Sequence, residues 1–300
     1  MDVPRHCLLL AALGFAASGG MAHAQPTSRS DALLPAAVRV DVLAPPGLSR
    51  PSFTSPKRVG PSPQGSGTPQ WTRDGLVSFV PWRFAGLAAI AKPGLPTYDL
   101  STDAWFASAN GALVRLDRDG RLPVIADNIQ GIDVDVRASC GLAVSREPND
   151  TIVLHSWGSG ATLHQVVLRG TGFFRPRFSP DGSHIVVSES RAEGGHFWVI
   201  SLDGTATDVA QGYTPSWLAD GRHVVFVRVH HDGSQILDSE LWSADIQSRE
   251  ERIVARPGVP LIDPVVSPDG TLVAFLHGRS REVQVASFAT PWTRENEVTP

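Results

Sequence analysis

The chain has 300 residues, 19% of them charged and 42% hydrophobic, with a formal net charge of −4. That length carries one large domain or two small ones, and the composition is globular rather than disordered or fibrous. The weakly acidic balance, 26 basic against 30 acidic residues, and the lack of a long basic run exclude a nucleic-acid-binding surface.

Residues 1–24 are expected to be a secretory signal peptide. Arg5 and His6 precede the apolar run Cys7–Ala17, and "SGGMAHA" ends on Ala22-His23-Ala24, an A-x-A cleavage pattern. The run is too short to span a bilayer, and no later segment reaches 18 apolar residues. The mature chain is therefore expected to begin at Gln25, to be periplasmic or secreted, and to have no membrane span. Removing the leader leaves a single cysteine, Cys140, so stability is expected from packing rather than from a disulfide.

Residues 25–67 read as an extended linker. Nine prolines fall from Pro26 to Pro69, among Ser and Gly, which rules out a helix or a central strand. One exception is "AAVRVDVLA", Ala36–Ala44, whose alternation predicts a short strand.

From Thr68 to Pro300 helical periodicity is nearly absent. Short alternating runs such as "HIVVSES", "FWVISLDG" and "HVVFVRV", bounded by Gly, Pro, Asp or Asn, predict many short strands. The strands recur in groups. "RPRFSPDGSHIVVSES", "TPSWLADGRHVVFVRV" and "DPVVSPDGTLVAFLHG" begin at Arg175, Thr214 and Asp263, and their prolines are 39 and 49 residues apart. "TPQWTRDGLVSFV" from Thr68 is an earlier copy. "DVRASCGLAVS" is a weaker one, with Gly141 placed 41 residues before Gly182, and Leu95–Asn128 has the length of a unit with a degenerate turn. A period near 40 with four strands per period predicts an all-β fold, a β-propeller. The 233 residues from Thr68 predict six four-stranded blades. The last unit shows three strands, and the N-terminal strand 36–44 is the expected fourth, closing the ring.

In each strong copy Asp181-Gly182, Asp220-Gly221 or Asp269-Gly270 ends a type I turn, with Gly free to take positive φ. Every residue of this turn has a structural explanation. Trp71 and Trp217 share one repeat position and Trp198 and Trp242 another, which argues for packing between blades.

These units resemble the Trp-Asp-repeat-like β-propeller repeats of TolB and of the propeller domains of prolyl oligopeptidase-type enzymes. The resemblance covers about residues 173–290, on "RPRFSPDGSHIVVSES…FWVISLDG", "TPSWLADGRHVVFV…LWSADI" and "DPVVSPDGTLVAF". It implies a six-bladed propeller in the periplasm that binds an envelope protein or peptide without catalysis. A true TolB carries an N-terminal α/β domain where this chain has the proline-rich stretch.

Catalytic signals are weak. No G-x-S-x-G elbow occurs; "WGSGATLH", Trp157–His164, comes nearest. No H-E-x-x-H or Cys/His set has zinc spacing, so no catalytic and no metal-binding residue is assigned. "RVHHDGSQ", with His230 and His231, reads as a long hairpin insertion that accounts for the 49-residue spacing. The alternative reading is a propeller hydrolase or lactonase holding a divalent metal in the channel. Calcium is its candidate ion and Asp133, Asp135 and Asp263 its candidate acids; otherwise no cofactor is expected. Alternation on the innermost strands points Arg175, Arg177, Thr214, Ser216 and Asp263 at the channel. Two arginines there favour a carboxylate-bearing ligand. Equally open is an Arg–Asp263 pair in a solvated channel.

Overall fold

The computed structural model describes residues 57–58, 69–73, 75–77, 96–117, 121–158, 162–280 and 282–288. Apart from a 3-10 turn at Ala138–Cys140, all their regular structure is β. The first elements are β1 (Lys57–Arg58) and the hairpin β2 (Gln70–Thr72) and β3 (Gly75–Val77). Blade I is β4 (Thr97–Asp99), β5 (Ala104–Ala109), β6 (Ala112–Leu116) and β7 (Val124–Asp127). Blade II is β8 (Asp133–Arg137), β9 (Leu142–Arg146), β10 (Ile152–Ser156) and β11 (Leu163–Leu168). Blade III is β12 (Phe173–Phe178), β13 (His184–Arg191), β14 (Gly194–Ser201) and β15 (Ala206–Gln211). Blade IV is β16 (Tyr213–Trp217), β17 (His223–His231), β18 (Ile236–Asp245) and β19 (Glu251–Ala255). Blade V is β20 (Leu261–Val266), β21 (Leu272–His277) and β22 (Val283–Ser287), with β1 paired to β22 as its outer strand.

Every blade is an antiparallel meander, and the fold is a β-propeller. Among the described residues it has five four-stranded blades, not six. The unit from Thr68 supplies only the two-stranded hairpin β2–β3, and residues 78–95 lie outside the described residues. That hairpin sits in the ring between blades V and I, with β2 touching both β20 and β4. An N-terminal segment does close blade V, but it is Lys57–Arg58, within the stretch read as linker. The expected strand Ala36–Ala44 lies outside the described residues. None of the described residues forms a helix long and apolar enough to cross a membrane.

The core lies between blades rather than within one. Leu142, Val144 and Leu154 of blade II pack on Phe178, Ile185 and Val187 of blade III. Phe197 of blade III meets Phe226 of blade IV at a ring separation of 4.9 Å. Leu218 and Leu241 of blade IV pack on Val273 and Phe275 of blade V. A second strand such as β21 is thus buried on both faces, which is why "LVAFL" is apolar without a break.

The repeated turn is built as its sequence demands. The Gly182 amide closes on the Ser179 carbonyl at 2.9 Å, with Gly182 at φ 74°. Asp181 accepts from the Ser179 hydroxyl at 2.6 Å and the Ser183 amide at 3.0 Å. Asp269 repeats both bonds with Ser267 and Thr271, at 2.5 and 3.0 Å. Burial pushes these carboxyl pKa values up, but the turn's own donors outweigh it and the net shift is downward. The acids serve the turns.

Deleting residues 25–60 removes β1 and leaves β22 as an open edge, an expected loss of about 3–6 °C in Tm. Deleting residues 25–50, which stops short of β1, is expected to leave Tm within about 2 °C. Calorimetry of the two truncations decides; equal midpoints would contradict closure by β1.

Candidate binding site in the central channel

The innermost strands β2, β4, β8, β12, β16 and β20 surround the channel. In β12, β16 and β20 the residue before the proline is left-handed: Arg175 at φ 54°, Thr214 at 49° and Asp263 at 54°. The antiparallel register breaks at the same place, between Phe174 and Arg177, Tyr213 and Ser216, and Ile262 and Val265. Proline has no N–H for the ladder and excludes its predecessor from the right-handed helical region, so the strand bulges there. A left-handed non-glycine residue costs on the order of 1–3 kcal/mol, most for β-branched Thr214.

Arg175, Arg177, Thr214, Ser216 and Asp263 all line one cavity of about 460 Å³. It opens where the inner strands end, beside Pro180, Ala219 and Pro268 of the turns. The five predicted residues therefore converge, but with different roles. Arg175 and Asp263 form a two-pronged ion pair, with Nη2 to Oδ2 at 2.9 Å and Nη1 to Oδ1 closing the second bond. The pair bridges blades III and V, past Thr214 of blade IV. Burial draws the Arg175 pKa down, and Asp263 more than restores it, so the guanidinium is held charged.

Ser216 accepts the Val266 amide of blade V at 3.1 Å. Asp135 does the same for the Phe178 amide at 2.8 Å, and also accepts the Thr97 hydroxyl at 3.0 Å. Gln70 accepts the Tyr98 amide at 2.9 Å. Arg177 and Val265 cannot accept through their side chains. The following unit there brings a tryptophan, whose indole donates to the backbone: Trp217 to the Arg177 carbonyl at 3.1 Å and Trp71 to the Val265 carbonyl at 2.7 Å. The repeated Trp71/Trp217 position is thus an interblade hydrogen bond as well as packing.

Sequence reasoning missed Arg137. Its Nη2 donates to the Ser179 carbonyl, and it lines the same cavity. The cavity's other acids are taken up by neutral donors. Asp99 accepts the Ser101 and Ala138 amides, both at 3.1 Å, and the Thr102 hydroxyl at 2.7 Å. Among the described residues neither Arg137 nor Arg177 has a carboxylate partner. Arg177 donates only to the Pro176 carbonyl, at 2.7 Å. The mouth can therefore receive an anion at two guanidinium groups.

No three His, Cys, Asp or Glu among the described residues are placed to hold a metal ion. Of the candidate acids, Asp263 is bound to Arg175, Asp135 is shared as above, and Asp133 accepts the Arg175 amide at 2.9 Å. One cluster has the outline of a nucleophile relay. The Ser145 hydroxyl lies 2.7 Å from His155 Nε2, and His155 Nδ1 lies 2.8 Å from His164 Nδ1. Yet Ser145 and His155 are 0% and 1% exposed, so no substrate reaches the hydroxyl. His155 is paired with Ala143, which packs on Phe106 and Leu113 of blade I, so the cluster belongs to the interface of blades I and II.

No protein-family model and no curated protein matches the sequence. Solved structures match the fold. The putative TolB from Agrobacterium tumefaciens gives a TM-score of 0.52 at 14% identity, over 66% of this chain and 80% of its own. TolB from Acinetobacter baumannii gives 0.47 at 14%, over 68% of this chain and 56% of its own. An oligogalacturonate lyase in complex with manganese gives 0.43 at 15%, over 64% and 76%. The first of these likenesses shows a TolB-type propeller fold; at such identity it carries no chemistry.

Removing one partner of the channel pair leaves the other charge buried. Arg175→Met is expected to cost about 3 kcal/mol by chemical denaturation, and Asp263→Leu in the same chain to restore most of it. Additive losses would show that the two do not act as a pair. A second expectation concerns acid. Burial, helped by His164, lowers the His155 pKa from 6.5 to about 3. The unfolded chain thus takes up this proton first as pH falls. The stability His155 contributes is complete above about pH 6.5 and is lost toward pH 3, on the order of 5 kcal/mol. Tm measured from pH 7.5 to 4 should fall less steeply in His155→Gln than in the wild type; parallel curves would remove His155 as the cause.

Proposed function

We propose that the protein is an exported, non-enzymatic binding module of the cell envelope, which takes an acidic segment or free C-terminal carboxylate of a protein partner into the channel mouth. The observation that carries this reading is the charge balance of the mouth. Its acids are spent on backbone and hydroxyl donors or on Arg175, while Arg137 and Arg177 keep guanidinium donors for an incoming carboxylate. Planar guanidinium groups suit a carboxylate better than any other side chain does. The opening of about 460 Å³ admits a few residues of peptide rather than a folded surface. Export is supported by the pattern of residues 1–24.

A fluorescein-labelled peptide ending in Asp-Glu-Asp-Glu with a free C-terminus serves as probe. Fluorescence polarisation should show saturable binding that Arg177→Ala and Arg137→Ala each weaken about tenfold, and that raising salt from 50 to 500 mM weakens further. Binding indifferent to both substitutions, or none up to millimolar peptide, would overturn the proposal. Fractionation of the cells of origin, with the protein recovered from cytosol at full precursor length, would overturn export.

A further inference from the structure

The channel has a second mouth. The inner strands begin there, and a cavity of about 530 Å³ lies between them and the long hairpin of blade IV. Its wall is apolar. Phe174, Tyr213 and Ile262 occupy one repeat position in blades III, IV and V, each just before the left-handed residue. Val227, Val229 and Ile236 of the blade IV hairpin face them. The hairpin is longer than its counterparts, with strands of 9 and 10 residues against 8 and 8 in blade III, and this extension forms the outer wall. Tyr213 is set by the blade III backbone, where Gly195 leaves room that a Cβ would fill against the ring. The floor is Arg175, Thr214 and Asp263, which line both cavities and separate them. Arg175 and Asp263 satisfy each other. The Thr214 hydroxyl is buried with no hydrogen-bond partner among the described residues.

We infer that this mouth is a second ligand site, for an uncharged and mainly apolar small molecule carrying one hydrogen-bonding group. The volume suits a drug-sized ligand, and mainly apolar walls with a few polar groups among them are the usual make-up of such a site. The Thr214 hydroxyl is closed to solvent in the empty protein, so a ligand group meets it only when the side chain turns toward the cavity, and the bond then removes the cost of a buried hydroxyl without a partner. The ion pair beside it argues for a neutral tip. A carboxylate would face Asp263, and an ammonium would face Arg175. The site does not use Arg137 or Arg177, so it stands or falls separately from carboxylate binding at the other mouth.

N-phenyl-1-naphthylamine, a neutral aromatic with one N–H, is a suitable probe because its emission rises and shifts to the blue on entering apolar surroundings. The full mature chain should bind it saturably with one-to-one stoichiometry, and the acidic peptide at saturation should leave it bound. Val229→Trp fills the cavity and should weaken binding at least about tenfold. Ser234→Trp, at the exposed hairpin tip and also on the cavity wall, should weaken binding in the same direction and serves if Val229→Trp lowers Tm. Thr214→Val keeps the shape but removes the hydroxyl. It should weaken the probe about threefold or more without lowering Tm, whereas a merely structural hydroxyl would leave the affinity unchanged. No saturable binding by the folded wild type, or binding that survives both tryptophan substitutions, would overturn the inference.

Discussion

Neighbouring blades of this ring share no β-ladder, so each innermost strand must hold the next one sideways by side chains alone. Among the described residues one repeat position makes five of these ties; between β4 and β8 the Thr97 hydroxyl donates to Asp135 instead, and Asp133 adds a bond from the Arg175 amide between β8 and β12. Where the side chain at the repeat position can accept, as with Gln70, Asp135 and Ser216, it takes the backbone amide of the next strand. Where it cannot, as with Arg177 and Val265, the next unit supplies an indole that donates to the position's carbonyl. The two arrangements reverse donor and acceptor but tie the same pair of strands. Each also satisfies a backbone group that a strand facing a channel would otherwise leave to water. A substitution at this position is therefore judged against the following blade, not against its own.

This stitching decides what the channel can offer a ligand. A carboxylate that holds a backbone amide is already satisfied and contributes little attraction beyond it. Asp99 and Asp135 count as acids in the sequence, yet in the ring they act as neutral-donor acceptors. Arginine at a stitching position, by contrast, is left over: Trp217 uses the carbonyl of Arg177 and never its guanidinium. The positive character of the mouth is a by-product of which positions carry the acceptor and which the tryptophan. In a chain of net charge −4, local bonding rather than composition sets the sign that a ligand meets.

Blades III, IV and V were legible because their turns are local. Pro-x-x-x-x-Asp-Gly fixes where one strand ends and the next begins, and the apolar run that follows needs no distant information. The channel positions of Arg175, Thr214 and Asp263 followed from alternation; their left-handed backbone did not, since a following proline by itself favours an extended predecessor. Blade II was harder for a definable reason. Aligning Gly141 with Gly182 spaces the two units by 41 residues. The strands themselves are offset by one more, since Val136 opposes Ala143 as Phe178 opposes Ile185. A one-residue slip exchanges the two faces of a strand, so Asp133 and Asp135 could be named as candidate acids but not aligned with Arg175 and Arg177. Arg137 lies past the last buried position of that strand and had no motif to mark it. Closure by Lys57–Arg58 was illegible for another reason: two residues have no periodicity, and what pairs them with β22 is the open edge, not their own pattern.

Repeats build the scaffold here, and departures from the repeat give it direction. Three blades place a left-handed residue at the same height, but only two of the three, Arg175 and Asp263, carry opposite charges. Only these can reach each other across the intervening blade. Their pair divides one channel into two cavities. The side toward the turns is edged by polar groups and unneutralised arginines; the side toward the blade IV extension is walled by Phe174, Tyr213 and Ile262. A ligand able to join the two would have to separate Arg175 from Asp263, leaving a carboxylate that is 8% exposed without its cation. Such a loss is severe unless the ligand brings its own carboxylate to Arg175 and a donor to Asp263 at once. The partition is therefore selective by chemistry rather than by size. It tolerates distinct occupants on its two sides, and it yields only to a molecule that reproduces both halves of the pair.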